Sequence, residues 1–203
     1  MNIYELFIDE LKELTGVNAL SLVENPAIQS DWIALSDQKK VLLAEVSADK
    51  QILMGAALIP DKPIYRNMDG EEFYIYFSKD TVAKAAEMFF KKHNQNNATL
   101  EHSVKLEGMT VFESWIVEDP KMDKSAKYGL DVPVGTWMVS MKVDDDNVWK
   151  DYVKNNKIFG FSIEGQFANK LISDQYEQQL SDQRLDKALS DVKEILTNYI
   201  LTN

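Results

Sequence analysis

Strand-like segments follow one another along this chain with little sequence between them, and that succession constrains the fold more than any other feature. Residues 41–47 and 51–58 are apolar runs separated by a polar turn at Asp49 and Lys50. Residues 73–77 alternate and are aromatic; 98–106, 109–117, 137–143 and 158–168 continue the series. Several of these neighbours lack the helix-length crossover that a parallel pair requires. The spacing therefore favours an α+β fold, a mostly antiparallel β-barrel with surrounding helices, over a doubly wound sheet.

Helical patterns are fewer. Ile3, Leu6, Phe7, Leu11 and Leu14 have helical spacing, and Gly16 would stop that helix. Val82, Ala85, Ala86, Phe89 and Phe90 define one face of a helix over 79–92, with Ser78 as its N-cap. Asp144, Asp145 and Asp146 precede a short helix over 148–154, at its favourable positive end. Residues 17–35, with Pro26, read as an extended arm, and Tyr65 to Gly70 as a turn. Residues 118–135 are polar and punctuated by Pro and Gly, a candidate mobile or substrate-facing loop. Beyond Asp174 there is no Gly or Pro, and Leu185, Leu189, Val192, Leu196 and Tyr199 follow heptad spacing. That tail is either a short coiled coil or an amphipathic helix docked on its own domain. The expected divisions are an N-terminal helix and arm (1–40), a barrel domain (41–170) and a C-terminal amphipathic helix (171–203).

Charge narrows the partners. The formal net charge is −11, from 22 basic and 33 acidic residues. Phosphate binding needs clustered Lys and Arg, so nucleic acid is disfavoured, as is an anionic membrane surface. The chain has no Cys, which excludes disulfides, thiolate metal sites and a cysteine nucleophile. No signal-peptide pattern opens the sequence and no run approaches a membrane span, so a cytoplasmic location is expected.

Without cysteine, Ser162 is the natural nucleophile, in the stretch Gly160-Phe161-Ser162-Ile163-Glu164-Gly165, and His102 is the natural base. Residues two apart on a strand share a face, so Ser162 and Glu164 point the same way, and Glu164 could orient His102. Glu101 would point oppositely if the stretch is a strand. Gly160 and Gly165 allow other backbone to approach the serine closely. By residue type alone, a serine in a strand is usually only a serine. Trp115 and Trp137 read as core residues, and Trp149 as the staple of the short helix. The three adjacent Asp lack the alternation of a calcium loop and suit helix capping. No nucleotide-binding motif is present, and the serine misses the hydrolase-elbow spacing by one residue. No metal or cofactor is expected.

Ordered stretches carry a resemblance. These are Ser21 to Ile28 (SLVENPAI), Gly55 to Arg66 (GAALIPDKPIYR), Glu72 to Ser78 (EFYIYFS), Glu101-His102, Glu113 to Lys124 (ESWIVEDPKMDK), Tyr128 to Leu130, Gly135 to Val143 (GTWMVSMKV) and Gly160 to Gly165 (GFSIEG). Together, over roughly residues 17–168, they resemble the phage prohead (capsid maturation) serine proteases of the XkdF-like group. The resemblance implies a fold similar to herpesvirus assemblin. It implies a serine endopeptidase acting in the host cytoplasm inside the procapsid, on scaffold and capsid-precursor segments and on itself. The expected partners are the major capsid protein and scaffold, with homo-oligomers and with neither nucleic acid nor membrane. The family's histidine falls on His102 and its serine on Ser162. The third member is either Glu164 or an acid some 25 residues past the serine, near Asp186; strand geometry favours Glu164. The alternative is a non-enzymatic phage scaffolding or structural protein of the same ancestry; a third option is an unrelated binding module.

Overall fold

Strand follows strand through most of the chain. The computed structural model describes residues 2–11, 15–26, 43–47 and 50–172. Its strands are β1 (Asn2–Phe7), β2 (Gly16–Val23), β3 (Leu43–Ser47), β4 (Ile52–Leu58), β5 (Ile64–Met68) and β6 (Glu71–Phe77). They continue as β7 (Ala98–Leu100), β8 (Val104–Leu106), β9 (Met109–Ile116), β10 (Trp137–Val143), β11 (Gly160–Gln166) and β12 (Ala168–Ile172). The helices are α1 (Lys79–Lys91) and two short turns, α2 (Lys124–Lys127) and α3 (Asp146–Val148), the latter running on into a π-helical turn, Trp149–Val153. The expected C-terminal helix, its heptad seam and Asp186 lie outside the described residues, as does the arm from residue 27 onward.

The strands form three four-stranded sheets, β12-β1-β6-β5, β3-β4-β10-β9 and β11-β2-β7-β8. Among the described residues, seven of the nine strand pairings are antiparallel and two, β1–β6 and β2–β7, are parallel. The mostly antiparallel β architecture is thus present, but the expected closed barrel is not: each sheet is open. β11 lies against β4, yet no hydrogen-bond ladder joins them, so the sheets stay separate.

Three local expectations are corrected. The helix expected from residue 3 is strand β1, held between β6 and β12. Pairing on both edges overrides a spacing that five apolar residues satisfied by chance. The start of the expected arm is β2, also paired on both edges. The turn expected from Tyr65 shrinks to Asp69-Gly70, both left-handed (φ 53° and 89°), joining β5 to β6. Asp-Gly is a strong two-residue hairpin signal, and the flanking residues belong to the strands.

Side chains from all three sheets and α1 meet in one core. Trp137, Phe89, Phe161, Leu20, Leu22 and Met54 are fully buried there. Phe89 packs edge-on against Trp137 at 5.4 Å, and the Trp137 indole donates to Ser114 Oγ at 2.8 Å. α1 is the helix expected from its apolar face, although Ser78 Oγ pairs with Thr81 Oγ1 (3.0 Å) and not with a backbone amide. Asp145 caps α3, accepting from the amides of Asn147 and Val148, which accounts for part of the acidic run.

The segment expected as a mobile loop is pinned. Asp123 caps α2 through the Ser125 amide (2.8 Å) and accepts from Trp115 Nε1 at 3.0 and 3.1 Å. Lys124 pairs with Glu113, which also accepts from the buried Ser140 hydroxyl at 2.5 Å. Burial pushes the Glu113 carboxyl up, but the Lys124 and Ser140 donors outweigh it, and the net displacement is downward. Asp123 is likewise lowered: burial raises it, and donors from Ser125 and Trp115 more than offset that. Lowered carboxyls stabilise the fold above their unfolded range, and the stabilisation is lost as pH falls through the folded values, beneath the ordinary carboxylate range. Acidification should therefore release this segment, read as a shift in tryptophan emission. Asp123→Asn should show part of that shift already at neutral pH.

Candidate active site

Sheet register places the candidate residues. Ser162 on β11 stands opposite Ser21 on β2, and Ser21 stands beside Thr99 on β7. Side chains at matched positions share a face, and so do residues two apart on one strand. Ser162, Glu164, Ser21 and Thr99 therefore line one face of the β11-β2-β7-β8 sheet. Phe161, on the other face, is fully buried in the core.

His102 reaches this face from a turn, which corrects the expectation of a continuous strand over 98–106. β7 and β8 are joined by Glu101, His102 and Ser103, closed by the Ser103 amide on the Leu100 carbonyl at 3.1 Å. Glu101 and His102 are both left-handed, with φ of 50° and 54°. Where Asp69-Gly70 turns at low cost, two successive non-glycine residues here carry strain, of order 1–3 kcal/mol each. The surroundings over-determine that conformation. The Glu101 amide donates to the Leu22 carbonyl (3.0 Å), and its carboxylate accepts from the Glu24 amide (2.6 Å). The His102 amide donates to Ser21 Oγ at 3.0 Å. Ser21 is fully buried, and its hydroxyl in turn donates to the Thr99 carbonyl at 3.4 Å.

The turn lays the imidazole beside Glu164, with His102 Nδ1 at 3.1 Å from Glu164 Oε1. Thr99 Oγ1 donates to the same oxygen. An ionised carboxylate only accepts, so Nδ1 carries the hydrogen, and a neutral ring then presents Nε2 as a free acceptor. Carboxylate, imidazole and hydroxyl are the three chemical parts of an acyl-transfer site. The His102 side chain is 44% exposed and that of Glu164 29%, so substrate can reach both. Ser162 is half-buried. Among the described residues no hydrogen bond joins Ser162 to His102; in free enzymes such bonds often tighten only when substrate binds.

The structure thus brings His102 and Glu164 into contact and sets Ser162 on the same face, one alternation from Glu164. The other histidine, His93, follows α1 and joins none of these bonds. Ser21 and Thr99 are missed by sequence reasoning, because register across three strands is invisible in one chain. The strained Glu-His turn is also missed, since nothing local marks it. A wide groove of about 540 Å³ lies elsewhere, on the β3-β4-β10-β9 sheet beside Phe112 and Lys142, and holds none of the three residues.

The glycines that bracket the serine do admit close neighbours. A Cβ on Gly160 would lie 2.4 Å from Pro26 Cγ, and one on Gly165 2.1 Å from the Gly16 carbonyl oxygen. The second contact is with backbone at the β11–β2 irregularity, where nothing flexible can yield. Gly165→Ala should lower the melting temperature by several degrees, an effect of about 1–3 kcal/mol. Gly70→Ala, with open space around it, should cost less and only through its φ.

Residues 40–171 match a family model described as "Putative phage serine protease XkdF". No curated protein matches the chain, and no solved structure does. The matched span includes His102, Ser162 and Glu164.

Proposed function

The chain belongs to the phage serine protease XkdF family, and on that premise we propose that it is a serine endopeptidase of capsid maturation. It trims scaffold and capsid-precursor segments, and itself, inside the procapsid in the host cytoplasm. The observation that carries this reading is the Glu164–His102 contact on the sheet face that bears Ser162. His102 Nε2 takes the Ser162 proton as the hydroxyl attacks the scissile carbonyl, while Glu164 holds the ring by Nδ1–H and stabilises the imidazolium. Backbone amides steady the oxyanion. His102 then protonates the leaving amine, and water hydrolyses the acyl-enzyme to free Ser162. A folding relationship to assemblin and homo-oligomer formation through residues 171–203 belong to the same proposal.

The test is co-expression of the chain with its phage's capsid and scaffold proteins, wild type beside Ser162→Ala, with intact masses read for every component. Cleavage present only with the wild type supports the reading. Uncut components that assemble normally in both cases would move the assignment to a non-enzymatic scaffolding role.

A further inference from the structure

Ser21 stands between the nucleophile and the base. On β2 it lies directly opposite Ser162 on β11, and such cross-strand partners hold their β-carbons about 5 Å apart. On its other side is Thr99, which donates to Glu164. The His102 amide donates to Ser21 Oγ at 3.0 Å. Glu101, the first left-handed residue of the turn, is held twice, through its amide on Leu22 and its carboxylate on Glu24. Among the described residues, the His102 backbone has only the bond to Ser21. The Ser21 hydrogen points to the Thr99 carbonyl at 3.4 Å, which leaves the oxygen lone pairs for the amide. Packing does not call for this hydroxyl. Ala19 and Val23, on the same face of β2, are apolar and buried, and Ser21 is fully buried between them. A buried hydroxyl is unfavourable unless its hydrogen bonds offset the lost water, and the bonds made here are those that hold the turn.

We propose that Ser21 is a positioning residue of this site: its hydroxyl holds the His102 ring against Glu164 and sets its distance from Ser162. The effect on catalysis rests on the protease reading; the effect on the ring does not. A φ of 54° is a conformation that a histidine leaves when nothing holds it. Without the Ser21 oxygen, His102 relaxes toward an ordinary negative φ, and the Nδ1 contact with Glu164 at 3.1 Å goes with it. That contact keeps the hydrogen on Nδ1 and leaves Nε2 free to accept. A ring released from Glu164 exchanges between its two tautomers and is a base in only one of them.

The experiment uses the full chain without a histidine tag, carrying isotope-labelled histidine read by nitrogen NMR. The chain has two histidines, so His93, which joins none of these bonds, is the control for folding. Ser21→Ala removes the acceptor, Ser21→Cys nearly keeps the volume but accepts only weakly, and Ser21→Thr keeps the hydroxyl. Spectra are taken at about pH 8, where an ordinary imidazole is neutral. The expected result is an Nδ1–H ring at His102 in the wild type and in Ser21→Thr, and a mixture of tautomers in Ser21→Ala and Ser21→Cys, with His93 unmoved throughout. With the phage's scaffold protein as substrate, kcat falls about ten- to a hundredfold in Ser21→Ala and Ser21→Cys at nearly constant KM, and Ser21→Thr recovers most of it. If the wild type cuts nothing but the His102 tautomer still depends on the Ser21 hydroxyl, the placement of the ring stands and the protease reading alone fails. Unmoved His102 resonances in Ser21→Ala and Ser21→Cys overturn the proposal and leave the protease reading intact, as does a wild-type ring that carries its hydrogen on Nε2. Equal changes in all three variants, with lowered melting temperatures and shifted His93 resonances, would assign Ser21 to packing and overturn it as well.

Discussion

Replacing Ser162 with alanine should reduce peptide cleavage at least about a thousandfold, the scale set by loss of a covalent nucleophile. Among the described residues, no other on this face can take its place. Ser21 is fully buried and committed to the His102 amide and the Thr99 carbonyl. Thr99 is committed to Glu164. The variant should fold as well as the parent, since Ser162 is only half-buried and alanine fits the strand. Melting temperatures within about two degrees of each other, alongside intact masses that change only for the wild type, would establish the nucleophile. Cleavage at the parental rate would remove Ser162 from the mechanism.

Glu164→Gln should lower kcat by about a hundred- to ten-thousandfold, with a much smaller change in KM. The amide keeps the shape and can still accept from Thr99, but it has no charge to stabilise the imidazolium formed as Ser162 attacks. It can also present its NH2 group to Nδ1 and so fix the wrong tautomer. Thr99→Val, which leaves the carboxylate in place and removes one donor, should cost about tenfold, a single hydrogen bond to a charged group. Steady-state kinetics on one peptide substrate would rank the two. Equal losses in both variants would mean that Glu164 merely packs against the turn.

The parts of this site differ in how readable they were. The shared face of Ser162 and Glu164 is legible because strand alternation is a local rule, and α1 follows from its apolar stripe. His102 is legible by type, but its turn between β7 and β8 is not. A Glu-His pair carries no turn signal, and only contacts with Leu22, Glu24 and Ser21, far away in sequence, hold it left-handed. β1 is not legible because a strand paired on both edges shows no clean alternation, and its few apolar residues also satisfy a helical spacing. Barrel closure could not be read at all, since it depends on whether β11 and β4 share a ladder or merely touch.

The pairing of β11 with β2 joins one of the first segments of the chain to one of the last. β1 likewise waits between β6 and β12. During translation, β2, β7 and the His102 turn leave the ribosome well before Ser162 and Glu164 are made. Pairings so distant in sequence form late. On the proposed mechanism, a nascent chain therefore holds its base without its nucleophile, and would not cut the proteins made beside it until β11 has emerged and found β2.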